Sequence, residues 1–125
     1  MNKRDRTKMH QTLHRYPHLI RGREYLCTLL NSDENVVAKG GSSGVYAFGL
    51  KKQRLGIMYK IYDGTETSWQ VIAAEILRQL DPEGCADTIR KLDTTELIGT
   101  TCRNLRCMTG ETVGEVKPVF RLERM

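Results

Sequence analysis

The sequence predicts an α/β (α+β) fold, an antiparallel sheet with helices packed on it, and three stretches predict it. Residues 44–50 and 55–62 (GVYAFGL and LGIMYKIY) are β-rich runs separated by the polar turn Lys51-Lys52-Gln53-Arg54, the pattern of an antiparallel hairpin. Residues 68–80, SWQVIAAEILRQL, place Trp69, Ile72, Ala73, Ile76, Leu77 and Leu80 on one apolar helical stripe, which is expected to pack against the sheet. Residues 36–46, VVAKGGSSGVY, end a strand on Lys39 and continue into Gly40, Gly41 and Gly44.

The remaining elements follow in order. TKMHQTLHR, residues 7–15, suits a short helix with Met9 and Leu13 four apart, ended by Pro17. His10 and His14 share the spacing of the H-E-x-x-H zinc motif, but Gln11 stands where the glutamate base belongs, so they are expected to be ordinary side chains. Leu26, Leu29 and Leu30 give residues 23–31 helical periodicity, and Asn31-Ser32-Asp33 supplies a turn. Asp63-Gly64 closes the second strand, and Thr65 or Thr67 is expected to cap the next helix, with Glu66 near its N-terminus. Lys60 and Asp63 are expected to form an exposed pair at the strand end. Asp81-Pro82-Glu83-Gly84 ends that helix, and residues 86–92 suit another short one. Val113, Val116, Val119, Phe120 and Leu122 could add an edge strand, where Pro118 is tolerated. One domain is expected: a basic N-terminal arm (1–15), a sheet and helix core (16–84) and a tail (85–125).

Composition narrows the function classes. With 39% hydrophobic and 28% charged residues, the chain suits a soluble globular protein rather than a disordered one. No apolar run reaches the roughly 20 residues of a membrane span. The N-terminus lacks the apolar core of a secretory signal, so a cytoplasmic setting is expected, with reduced thiols at Cys27, Cys85, Cys102 and Cys107. Cys102 and Cys107 lack a second tight pair, which favours separate thiols over a metal site. The net charge of +5 is local: residues 1–23 hold seven Lys/Arg against one acid. A basic arm can bind phosphates, but residues 1–15 contain no aromatic side chain for base stacking, so nucleic acid is disfavoured.

The concentrated chemical signal is Lys39 and the glycines after it. A Walker phosphate loop is excluded, because Lys39 precedes the glycines. A plain glycine-rich turn and a Lys-x-Gly strand lining a serine-hydrolase cleft, like the K-T-G element of penicillin-recognising enzymes, both fit the residues. The sequel of hairpin and helix favours the second. There an ammonium beside exposed main-chain groups can hold a carboxylate or lower the pKa of a nearby hydroxyl.

Residues 14–80 resemble the C-terminal region of type II L-asparaginases of the thermolabile, rhizobial type. The K-x-G-x-x-G-V stretch of that family corresponds to Lys39, Gly41, Gly44 and Val45, and its G-[IV]-A-x-K-[IC]-x-D-G segment to residues 56–64. HRYPHLIRGRE resembles an H-P-x-x-V-A-G-x-x-R segment through Pro17, Gly22 and Arg23, and a later N-x-x-G-x-x-V-G signal is kept through Asn104, Gly110, Val113 and Gly114. The resemblance implies a β-lactamase/penicillin-binding-protein-like α/β lobe and hydrolysis of asparagine to aspartate and ammonia through a Ser–Lys acyl-enzyme. It makes Lys39 catalytic and Gly40, Gly41, Ser42 and Ser43 substrate-binding, with L-asparagine as the small-molecule substrate. Two departures stand out: Ser43 where the family often has an acid, and the bulky Met58-Tyr59. A third concerns the nucleophile. The residues three beyond Ser32, Ser42, Ser43 and Ser68 are Asn35, Val45, Tyr46 and Val71, so no S-x-x-K is present. The chain is therefore expected to be the C-terminal part of a larger enzyme, inactive alone, its partner a missing N-terminal portion or another protomer. The zinc-type site of the family would lie upstream, and no cofactor is expected in this chain. A serine-dependent glutaminase, with its A-K-S-G-x-x-G-G stretch, and a non-enzymatic binding or regulatory domain are the alternatives.

Overall fold

A computed structural model describes residues 2–16, 25–97, 100 and 104–123. The chain divides into two compact units, residues 1–65 and 66–125.

The first unit holds helices α1 (Lys3–Arg15) and α2 (Leu26–Asn31) and strands β1 (Val36–Gly40), β2 (Val45–Leu50) and β3 (Leu55–Lys60). The strands form one antiparallel sheet in the order β1-β2-β3, with Val36 opposite Leu50 and Tyr46 opposite Tyr59. Alternation along the strands separates two faces. One face carries the core side chains Val36, Ala38, Tyr46, Phe48 and Leu50, all buried together with Leu26, Cys27 and Leu30 of α2. Val37, Lys39, Ala47, Gly49, Gly56 and Met58 occupy the other face, none of them buried.

The outer edge of β1 is closed by α2 and the turn after it. The N–H groups of Val36, Ala38 and Gly40 point away from β2 and donate to Asp33 O (3.1 Å), Asn31 Oδ1 (2.9 Å) and Cys27 Sγ (3.2 Å). The fully buried Asn31 also donates through Nδ2 to Cys27 O at 2.7 Å and Ala38 O at 2.8 Å, so one amide side chain replaces a neighbouring strand. Asn31, expected to begin a turn, is thus the last helical residue and a structural pin. His14 links α1 to it, with Nδ1 3.2 Å from Asn31 O. The expected facing of Met9 and Leu13, and Pro17, lie outside the described residues.

The second unit holds α3 (Trp69–Leu80), α4 (Ala86–Thr94) and a hairpin of β4 (Asn104–Arg106) and β5 (Thr112–Glu115). The apolar face of α3 is broader than the expected stripe. Gln70, Val71 and Ala74 are buried with Trp69, Ala73, Ile76 and Leu77, whereas Ile72 and Leu80 are half-buried. Within this unit α3 runs against α4, which buries Thr88, Ile89 and Leu92. Gln70 has no solvent exposure. Its Nε2 donates to Leu92 O and Thr95 O, both at 2.7 Å, and its Oε1 accepts from Thr100 Oγ1 at 2.6 Å. Ser68, rather than Thr65 or Thr67, occupies the N-cap of α3, and its side chain makes no capping bond. Thr65 is drawn instead to Asp63, whose Oδ1 accepts from both its N–H (3.0 Å) and its Oγ1 (2.8 Å).

The expected edge strand in the tail is also revised. Of its five apolar residues only Val113 falls in a strand, and β5 pairs with β4 instead of extending the three-stranded sheet. No described helix is long and apolar enough to cross a membrane.

Candidate active site

Lys39 is the penultimate residue of β1, with its backbone paired to Ala47. The closed outer edge fixes this strand, so the residue is held firmly while its side chain stays exposed on the uncovered face. Its Nζ folds back to donate to Gly40 O. Around it lies a shallow apolar trough of about 720 Å³, lined by Val37, Ala47, Gly49, Gly56, Ile57 and Met58 among others. Glycines at 49 and 56, directly opposite one another, flatten its floor.

The loop from β1 to β2 brings the other expected site residues together. Gly40 is buried and gives its N–H to Cys27, and Gly41 gives its N–H to Val45 O at 2.8 Å. Val45 N–H returns to Ser42 O at 3.3 Å, and the two residues between, Ser43 and Gly44, have φ of 57° and 77°. Two consecutive left-handed residues characterise the turn type that suits strand twist, which is why glycine is required at one of them. Within this loop positive φ is confined to Ser43 and Gly44, and Gly40 and Gly41 stay outside that region. The N–H groups of Ser42 and Ser43 make no hydrogen bond among the described residues.

The two best-kept motif segments meet here. Ile61 N–H donates to Gly44 O at 3.0 Å, and Lys60 Nζ donates to Ser43 O at 2.8 Å. A Cβ on Gly44 would lie 2.8 Å from Ile61 O and 3.0 Å from Gly64 Cα, so two backbones touch with no room for a side chain. Strand β3 ends at Lys60, earlier than expected, because Ile61 turns to this loop. Lys60 and Asp63 do not pair with each other; each is held by a different neighbour. Hydrogen bonds from the Thr65 N–H and hydroxyl hold the Asp63 carboxyl below its ordinary pKa.

Sequence reasoning missed what stands behind Lys39. Cys27 Sγ accepts from Gly40 N–H and lies 3.5 Å from Tyr46 Oη. The Tyr46 and Tyr59 rings stack with centroids 5.7 Å apart. Burial, and secondarily the nearby Cys27, push the Tyr59 phenol far above its ordinary pKa, so it stays neutral at any physiological pH. These groups support the strand from the core side. Their only sequence signal is that Cys27 lies four residues before Asn31, one helical turn along α2.

Cys27, Cys85 and Cys107 are free thiols, and among the described residues no cluster of His, Cys, Asp and Glu could hold a metal. Cys102, Pro17, Gly22 and Arg23 lie outside the described residues, as does the side chain of His10. In the N-x-x-G-x-x-V-G signal, Gly110 takes φ of 89° in the β4–β5 turn and Val113 and Gly114 lie on β5, so this motif builds the second hairpin.

Two comparisons bear on identity. No curated protein matches the chain. A family model described as L-asparaginase II matches residues 2–118, nearly the whole chain. The Lys-x-Gly strand, the tight left-handed turn and the Asp-Gly segment against it are thus set in a chain that belongs to the L-asparaginase II family.

Proposed function

We propose that the chain is the lysine-bearing part of an asparagine amidohydrolase, belonging to a β-lactamase-like lobe and working in the cytoplasm through a Ser–Lys acyl-enzyme. The observation that carries this reading is the exposed Lys39 on a rigid strand, followed by a loop with the unbonded N–H groups of Ser42 and Ser43. In the proposed reaction a serine hydroxyl attacks the side-chain amide carbon of asparagine. The carbonyl electrons move to oxygen, and the tetrahedral oxyanion is met by N–H donors such as those of Ser42 and Ser43. Collapse expels ammonia with a proton relayed by lysine, and water then releases aspartate from the acyl-enzyme. Lys39 would serve this relay or hold the substrate carboxylate, with Gly40 and Gly41 shaping the strand at that point.

The serine is not supplied by an S-x-x-K in this sequence. The apolar trough beside Lys39 suits a covering protein element better than a substrate as polar as asparagine. Both features support a shared site, completed by polypeptide outside this sequence.

The test is ammonia release. The purified chain is expected to produce none from asparagine or glutamine. Combined with a serine-bearing L-asparaginase II segment, it is expected to hydrolyse asparagine, and Lys39→Met is expected to lower kcat at least about a hundredfold. Activity in the chain alone overturns the shared-site reading. Preference for glutamine overturns the substrate.

A further inference from the structure

Residues 116–123, VKPVFRLE, run outside both sheets. Among the described residues one side chain hydrogen-bonds them: Gln79 Nε2 donates to Phe120 O at 2.9 Å, and Leu122 N–H donates to Gln79 Oε1 at 2.7 Å. A carbonyl and an N–H two residues apart, facing one amide, are the arrangement an extended chain offers to a neighbouring strand. In such a chain residues 118, 120 and 122 turn their main-chain groups toward α3. Pro118, which has no N–H to offer, falls on that side.

Residues 117, 119, 121 and 123 turn theirs the other way. None of their N–H or C=O groups makes a hydrogen bond among the described residues. All four are exposed, Val119 at 94%. An extended segment with these groups unbonded offers the same donors and acceptors as an open strand edge, the kind that pairs with another chain. Its only proline is on the inner side, and the residues on the open side are Lys117, Val119, Arg121 and Glu123, whose charges repel an indiscriminate partner and leave room for a complementary one.

We propose that this edge pairs antiparallel with the same edge of a second copy of the chain, about a two-fold axis at Phe120. The charge pattern selects the partner and the register. Antiparallel pairing centred there sets Lys117 opposite Glu123 twice, and Val119 opposite Arg121 twice, with all four residues turned toward the shared edge. The four central main-chain donors and acceptors on each side are then satisfied, and the aliphatic stem of Arg121 covers the exposed Val119. The inference is independent of the catalytic reading.

Light scattering and sedimentation equilibrium on the full chain, over a concentration series, test it. A monomer–dimer equilibrium is expected. Val119→Pro deletes a central donor at an exposed position and is expected to leave a folded monomer. Lys117→Glu and Glu123→Lys should each weaken the dimer about tenfold, and the double exchange should restore it. A chain monomeric at millimolar concentration overturns the proposal. So does a dimer indifferent to Val119→Pro, as one built on the trough of the three-stranded sheet would be, or a charge reversal that the double exchange fails to rescue.

Discussion

The two units solve one problem in different ways. Each has a main-chain segment whose polar groups would otherwise be buried without partners, and each satisfies it with a single buried amide. In the first unit Asn31 faces a strand, giving and taking hydrogen bonds at Ala38 as another strand would. In the second, Gln70 gathers the two carbonyls at the end of α4 and the hydroxyl of Thr100. At the β1–β2 turn of the first unit main chain packs on main chain, with Gly44 against Ile61 and Gly64. In the second unit Gln70 sets a side chain against the end of a helix, and the glycine of the β4–β5 turn, Gly110, has open space around it. The first unit is therefore the stiffer frame, and it is the one that carries Lys39.

This contrast makes predictions of decreasing size. Asn31→Leu strands the buried N–H and C=O of Ala38 and is expected to cost about 3 kcal/mol, read from urea denaturation. Amide exchange at Ala38 should accelerate most. Gly44→Ala should cost about 2–3 kcal/mol, because a Cβ meets main chain in a left-handed conformation, whereas Gly110→Ala pays about 1 kcal/mol for the conformation alone. Equal costs for the two glycines would erase the claimed difference in stiffness. Gln70→Leu should cost about 2 kcal/mol, less than Asn31→Leu, since it strands acceptors but no main-chain donor.

The smallest effect concerns pH. The Asp63 carboxyl has a lowered folded pKa, so its contribution is present above the unfolded value of roughly 3.9 and is lost as pH falls through the folded value. Asp63→Asn should therefore flatten the acid limb of the stability curve slightly below about pH 4, where the carboxylate is lost. An identical acid limb in the variant would show that the Thr65 bonds are not felt in solution.

Legibility in the sequence followed the range of the interactions. The hairpin, the helix at 69–80 and the lysine-glycine strand were visible because alternation, helical periodicity and turn residues act over a few neighbours. The ends of elements were not. Strand β3 stops at Lys60 because Ile61 is claimed by Gly44, and Thr65 leaves the helix cap because Asp63 holds it. Val116, Val119 and Phe120 look like strand residues, and the chain there is held by Gln79, about forty residues away in sequence. Of the candidate site, the sequence pattern marked Lys39 and the Ser42–Ser43 loop. That Gly40 and Gly41 spend their N–H groups internally depends on Cys27 and Val45 meeting them in space, and no local pattern encodes it.

Met58 has a consequence of a different kind. Its side chain is 76% exposed on the open face of the sheet, and Met108 is fully exposed at the tip of the β4–β5 turn. Dilute peroxide converts exposed thioethers to sulfoxides. The chain thus carries a footprinting probe inside the trough and an internal control outside it. In the isolated chain both methionines should gain oxygen at similar rates. Where another polypeptide seats on the trough, Met58 should fall silent while Met108 keeps reacting, so that a mass shift reports whether the site has been completed.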